Sequence, residues 1–306
     1  MFRSVFFFLL LVLTTSPGLS ALAFEGDFKG SLAQGKHEHY VPPVSNPFLN
    51  ETPFITTEAR LIYMHNDVPG KVLANTFSPG TPGGGHINLF ALQLRLALTD
   101  RLGFYVNKFG VADFNHTSFT AFDDSAMLNL SLGVKYALLS DPEQGGLVTL
   151  GMGYEVPSGT LKAGVFRLQG DGKGLLNLFV TASKSVDKWG MQAKLGTRIS
   201  LDQDRTTSWF DLSMHVDYEI LPDFFPLIEL NHYAPINDPR QNTFNFSGLD
   251  LFDIGGADPQ VVTTLAFGGR YKFSKTVMAG LVYETPGTSD KDIMDWRVTA
   301  DLVINY

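Results

Sequence analysis

Read at every second residue, the stretch WFDLSMHVDYEI falls into two sets: Phe210, Leu212, Met214, Val216, Tyr218 and Ile220 against Asp211, Ser213, His215, Asp217 and Glu219. Successive side chains of a strand point to opposite faces, so this period of two describes a strand with one apolar and one polar side. The pattern recurs from His86 to Asp100, where Phe90, Leu92, Leu94, Leu96 and Leu98 alternate with Ala91, Gln93, Arg95, Ala97 and Thr99. It recurs again from Ser125 to Leu138, with Leu128, Leu130, Leu132, Val134 and Tyr136 on the apolar side. At the end of the sequence Trp296, Val298, Ala300, Leu302, Ile304 and Tyr306 oppose Arg297, Thr299, Asp301, Val303 and Asn305.

Less regular segments at roughly 57–65, 103–114, 146–157, 174–186, 188–201, 224–234, 260–273 and 275–285 bring the total to about twelve strands. In 103–114, Lys108 falls on the face its neighbours make apolar, and a bulge there would restore the parity. A soluble antiparallel sheet could alternate in this way, but its strands are usually about five or six residues long. A strand crossing a bilayer at a tilt needs about 9 to 11, and these segments are long enough. The connections alternate as well. Short links such as Val186-Asp187-Lys188 and Leu221-Pro222-Asp223 are interleaved with long ones at about 66–85, 115–124, 158–173 and 235–259. Tight periplasmic turns and long outer loops mark outer-membrane barrels, and hydrocarbon forces a sheet to close because no water is present to bond an open edge. The expected fold is all-β: a transmembrane antiparallel up-and-down barrel of about 12 strands, apolar outside and polar within.

This topology places aromatic residues in girdles at the two interfaces. Tyr136, Tyr218, Tyr271, Tyr306 and Trp189 fall at the periplasmic rim, and Trp296, Phe210, Tyr154 and Tyr283 at the outer one. Parity also yields a lumen-lining set. Its basic members are Arg60, Arg95, Lys135, Lys194, Arg198, Arg270, Lys272 and Arg297; its acidic members are Glu155, Asp211, Asp217, Glu219, Glu229, Glu284 and Asp301, with His215 beside them. The signs nearly balance, so the wall can pair with itself or leave a narrow polar path for small solutes.

Residues 1–23 have the form of an export signal: Arg3, an apolar run from Val5 to Leu13, and Ala21-Leu22-Ala23 as the cleavage pattern. The run is short of the ~20 residues that span a bilayer. Residues 24–56 carry few strand signals and include Val41-Pro42-Pro43-Val44-Ser45-Asn46-Pro47, which reads as a periplasmic tail or as a plug contacting the barrel through Phe48, Leu49, Pro53 and Phe54. The barrel proper is 57–306. There are no cysteines, which excludes disulfides and thiol catalysis. The net charge of −8 disfavours nucleic-acid binding.

Motifs for chemistry are weak. Ser213 and His215, flanked by Asp211 and Asp217, combine hydroxyl, imidazole and carboxylate, but a hydrogen-bonded lumen wall accounts for them without catalysis. That leaves a lipid-acting barrel enzyme, or an adhesive barrel meeting a partner through loop 235–259, as alternatives to a channel. His37-Glu38-His39 supplies two metal-type ligands, and Asp250, Asp253 and Asp258 lack EF-hand spacing. Gly170-Asp171-Gly172-Lys173-Gly174 lacks P-loop spacing. No catalytic residue, metal or cofactor is assigned.

The unit LFALQLRLALTDRLGFYV, Leu89 to Val106, joins a long amphipathic strand to an aromatic-rich return strand through a Thr-Asp-Arg-Leu turn. It resembles the outer-membrane transporters associated with meta-pathway phenol degradation. That resemblance implies uptake of small hydrophobic or aromatic compounds, and it supplies no ligand motif. The expected partners are outer-membrane lipid, a small-molecule solute, and the barrel-assembly machinery, whose C-terminal signal Leu302, Ile304 and Tyr306 resemble.

Overall fold

The computed structural model describes residues 28–33, 35–75, 79–170, 172–240, 244–256 and 259–306. The expected signal, 1–23, lies outside these residues, as do Asp171 and Asp258. The elements are β1 (Glu58–Val68), β2 (Gly85–Ala97), β3 (Leu102–Lys108), β4 (Gly110–His116), β5 (Asp124–Met127), β6 (Leu130–Asp141) and β7 (Gly146–Val156). A two-residue hairpin, β8 (Lys162–Ala163) with β9 (Phe166–Arg167), decorates one loop. There follow β10 (Leu175–Val186), β11 (Trp189–Ser200), β12 (Trp209–Tyr218), β13 (Phe224–Pro235), β14 (Val262–Lys272), β15 (Val277–Pro286) and β16 (Trp296–Asn305).

All neighbours in the main sheet pair antiparallel, and β1 pairs with both β2 and β16. The sheet is therefore closed. Along β2, β3 and β4 lie end to end as two halves of one stave, and β5 and β6 are likewise halves of the next. The 14-stranded sheet is thus a barrel of twelve staves. Its seam runs from Glu58 opposite Asn305 to Asp67 opposite Trp296.

The expected single strand 103–114 is instead interrupted. The register slips between Val106 and Lys108, and this bulge turns Lys108 inward, where it is buried. Phe109 remains exposed at the break between the halves. A second departure concerns Leu128, expected on the outward face of 125–138. The stave breaks between Met127 and Leu130, so Met127 stays outside while Leu128 turns in and is buried. A further slip between Ala137 and Leu139 puts both Leu138 and Leu139 outside.

The exterior is apolar and exposed: Leu61, Phe90, Leu150, Ile228, Phe267 and Leu281 all face outward. Such a continuous band has no stable place in water, and it fits the lipid-facing belt of a membrane barrel. Of the aromatic set, Tyr136, Trp189, Tyr271, Tyr283 and Tyr306 are exposed, and Tyr154, Phe210, Tyr218 and Trp296 are half-buried among their neighbours. Trp189 packs on Tyr218 with ring centroids 4.6 Å apart, and Tyr283 stacks on Trp296 at 6.1 Å.

Inside, Gly133 and Gly153 face each other across β6 and β7. A Cβ on either would lie 2.5 Å from the Tyr105 hydroxyl, so both glycines make room for an inward-pointing phenol. At the long-loop end, described residues of the connection between β13 and β14 pack inward. Leu249, Leu251, Phe252 and Ile254 from that loop join Trp209, Tyr233 and Met294 in one apolar cluster.

A charge placed in the outer belt tests the lipid assignment. Leu281→Arg, at the middle of β15, should destabilise the barrel by about 2–4 kcal/mol in urea unfolding from lipid vesicles. Full retention of stability would mean that this face does not meet hydrocarbon.

Candidate functional site

Every residue from 40 to 56 is buried within the barrel. The segment enters and leaves at the same end, since Ser31 donates its backbone N–H to the Ile55 carbonyl (2.9 Å) and Tyr306 donates to that of Thr57 (2.9 Å). It doubles back at Asn46–Asn50, where Asn50 N bonds Asn46 O (2.8 Å) and Asn46 adopts a positive φ of 49°.

A chain that is not in a sheet has no ladder to satisfy its carbonyls, and a proline contributes a carbonyl with no N–H to match. The wall supplies the missing donors. Pro42 O accepts from Arg270 Nε (3.0 Å) and Pro43 O from Arg60 Nη2 (2.9 Å). Pro47 O accepts from Gln93 Nε2 (2.6 Å) and Pro53 O from Thr149 Oγ1 (2.7 Å). Val41 O, Phe48 O and Thr52 O are taken by Gln192, Asn107 and Lys135 at 2.7, 2.7 and 2.9 Å.

Carboxylates set the register of the segment. Glu51, the only charged residue between Tyr40 and Thr57, accepts from Arg95 through both oxygens (2.7 and 2.8 Å) and from Lys135 Nζ (2.8 Å). Arg95 also pairs with Glu58. From the wall, Glu229 reaches back: its carboxylate accepts from Val44 N (2.8 Å), Ser45 N (2.6 Å) and His215 Nδ1 (2.7 Å). His215 Nε2 in turn meets Asp217 at 3.1 Å, and Asp217 also meets His39 at 3.3 Å.

Most of the remaining charges form closed pairs. Asp301 holds Arg60 (2.6 Å) and both terminal nitrogens of Arg270 (2.9 Å each). Lys194 pairs with Asp211, and Lys108 with Glu155 at 2.5 Å. Loop residue Asp250 forks onto Arg297 at 2.9 and 3.0 Å, with Glu284 of β15 at 3.7 Å from the same guanidinium. Arg198 donates to the Leu249 carbonyl (2.6 Å). Two members of the expected lumen set sit apart from this interior. Glu219 lies beyond the end of β12 and is half-exposed, and Lys272 is half-buried with its ammonium 4.8 Å from the Phe225 ring centroid. Both are at the short-turn rim, where the strands stop.

Among the described residues Ser213 and His215 are not hydrogen-bonded to each other. Ser213 Oγ donates to Asn231 Oδ1 (2.8 Å) and His215 is held between two carboxylates. His37 and His39 diverge, one to Gly146 O (3.3 Å) and the other to Asp217. Asp250 and Asp253 are engaged by Arg297 and Asn129 respectively. No group of three His, Asp or Glu among the described residues is placed to hold a metal. Sequence reasoning missed Glu51, Glu58 and Asn107, and it left Gln93 and Lys108 out of the lumen set although it had placed Gln93 on the polar face and flagged a bulge at Lys108. Parity with Arg60 and Arg95 would have found Glu58 and Gln93, and the isolation of Glu51 in an uncharged, proline-rich stretch was its signal.

No protein-family profile matches the sequence, and no curated protein does either. Among solved structures, an outer-membrane channel from Pseudomonas putida F1 superposes over 87% of this chain and 100% of its own, with a TM-score of 0.60 at 15% identity. The chain has the fold of an outer-membrane channel. The NanC porin (TM-score 0.48, 11% identity, 82% of this chain and 98% of the porin) and the TodX monoaromatic hydrocarbon channel (0.43, 13%, 92% and 100%) overlap it more loosely.

The fold gives direction to the two rims: the short turns are periplasmic and the long loops face outward. On that outer side Asp292 ties two loops together, its carboxylate accepting from Ser247 N (2.7 Å) and Gly248 N (2.8 Å). Burial pushes its carboxyl up to about 6, more than the backbone N–H groups of Ser247, Gly248 and Ile293 pull it down. A carboxyl raised in the folded state contributes stability that is complete below its ordinary value near 3.8 and is lost as pH climbs through about 6. Protection factors at residues 246–251, taken against the intrinsic exchange rate at each pH, should therefore fall between pH 4 and 7, and Asp292→Asn should remove that fall. Equal steps in both proteins would dissociate Asp292 from the loop. Separately, Glu51→Ala leaves Lys135 without its carboxylate and Arg95 with Glu58 alone, and should cost about 3–5 kcal/mol in urea unfolding.

Proposed function

We propose that the protein is a passive channel of the bacterial outer membrane for small solutes, hydrophobic and aromatic ones among them, held closed by residues 40–56. The observation that carries this reading is the content of the lumen. An eight-stranded barrel is filled by its own wall side chains, whereas more strands leave space that something else must occupy. Here twelve staves enclose a separate segment, held by wall side chains through hydrogen bonds and ion pairs. Polar contacts of this kind can be exchanged for water, so withdrawal of the segment leaves a hydrated path lined by charges of both signs.

The resemblance of the Leu89–Val106 unit to the phenol-degradation transporters supports aromatic compounds as cargo. In this reading residues 1–23 direct export and the terminal Leu302, Ile304 and Tyr306 engage the assembly machinery. A hydrolytic barrel is disfavoured because Ser213 and His215 have separate partners and both face away from lipid.

Purified protein in planar bilayers tests the proposal. The wild type should open rarely. Glu229→Ala removes the acceptor that holds Val44 and Ser45, and should raise the open fraction about tenfold or more. Membranes that stay sealed with both proteins, across salts and small aromatic solutes, would refute the channel.

A further inference from the structure

Five arginines point into the barrel, and four of them meet carboxylates: Arg60 and Arg270 on Asp301, Arg95 on Glu51 and Glu58, and Arg297 on Asp250. Arg198 is the exception. It is 1% exposed, yet among the described residues no carboxylate forms an ion pair with it. Its Nη2 donates to the Leu249 carbonyl, the Trp209 ring centroid lies 5.8 Å from the guanidinium carbon, and its Nε has no hydrogen-bond partner among the described residues. Glu155 and Asp253 act on the guanidinium only from beyond ion-pair distance, and a permanent charge buried without a directly hydrogen-bonded carboxylate is costly.

Arg198 lines a narrow cavity between the turn of the inner segment, at Phe48 and Leu49, and the barrel wall, with a free volume of about 10 Å³, close to that of one water. Glu51 also lines it, with its carboxylate taken up by Arg95 and Lys135. Tyr105, Asn107 and Asn177 line it too, and each brings a buried polar atom without a partner among the described residues: a phenol hydroxyl and two amide oxygens. Four such atoms around one small cavity is a concentration that folding alone does not reward, since each costs about 1–3 kcal/mol. Asn177 stands directly opposite Arg198 on the neighbouring strand. Its amide nitrogen reaches only Ser131 Oγ at 3.5 Å, so the amide can turn to present a donor. Lys194 adds an ammonium 5.9 Å from the centroid of Phe179, whose ring forms an apolar side of the cavity.

We propose that this cavity is an anion-binding subsite on the solute path, centred on Arg198, which takes small monoanions, carboxylates in particular. The proposal rests on the channel reading above and adds a solute class to it. Arg198 Nε and the Tyr105 hydroxyl donate to the anion, Asn177 completes the donor set after its amide turns, and Asn107 Oδ1 accepts from a hydroxyl on a larger solute. The site lies between the outer loop, through Leu249, and the inner segment, through Phe48 and Leu49. As it stands it has room for about one water, and an anion fits once Phe48 and Leu49 withdraw.

The test uses the full-length protein in planar bilayers, with reversal potentials in gradients of potassium chloride and then potassium acetate. The wild type should favour both anions over potassium. Arg198→Gln should lower that preference about tenfold, and Arg198→Lys should keep most of it. Asn177→Asp, which sets a carboxylate opposite Arg198 without removing it, should lower the preference as Arg198→Gln does and guards against a folding defect in the first variant. Unchanged selectivity in both charge-altering variants, or a cation-preferring wild type, overturns the subsite while leaving the channel standing. Acetate titration followed by Trp fluorescence reads the site without conductance. A saturable change, lost in Arg198→Gln and in Trp209→Phe, supports the subsite even if bilayers stay silent and the channel reading fails, and its absence overturns it.

Discussion

A sheet in hydrocarbon cannot leave an edge of unpaired amides, and the pairing of β1 with β16 meets that requirement. Most other features follow from it. Closure forces one face of every strand toward lipid and the other toward a confined interior, so the period of two becomes a radial division between oil and charge. Twelve staves also enclose more room than their own side chains fill. The charged interior must then find partners without bulk water, which accounts for guanidinium groups buried to 1% exposure or less at Arg60, Arg270 and Arg297.

Part of the solution is chemical matching between wall and filler. All four prolines of the inner segment, Pro42, Pro43, Pro47 and Pro53, have their carbonyls bound by wall side chains. A proline-rich stretch is rich in acceptors and poor in donors, and arginine, glutamine and threonine on the wall reverse that imbalance. The excess of donors on a nominally balanced wall thus has a structural use. Arg198 stands outside this matching, since its contacts are the outer loop and Trp209 rather than a proline carbonyl or a carboxylate.

The barrel was legible in the sequence because its code is local: alternation, strand length and the inequality of the two sets of connections each depend on neighbours in the chain. Lys108 announced its own bulge by breaking parity. Leu128 gave no such warning, because a leucine satisfies either face and the break before Leu130 leaves no trace in hydropathy. Partners were the illegible part of the site. Asp250 and Arg297 are 47 residues apart and Val44 and Glu229 are 185, distances over which composition carries no pairing information. The inner segment has no period at all, since it is satisfied by its surroundings and not by its own backbone.

The inner segment is continuous with β1, with only Thr57 between its last buried residue and the first strand. In the proposed role of closure element, a segment tied so closely to the wall is never diluted. On leaving the lumen it would remain at an effective concentration of about a millimolar or more beside the entrance. Reclosing is then a first-order event, set by the segment's own folding and indifferent to how many barrels share the membrane. Under the proposed closure each barrel would carry its own timer, and an opening would last only as long as something else occupied the space the segment left.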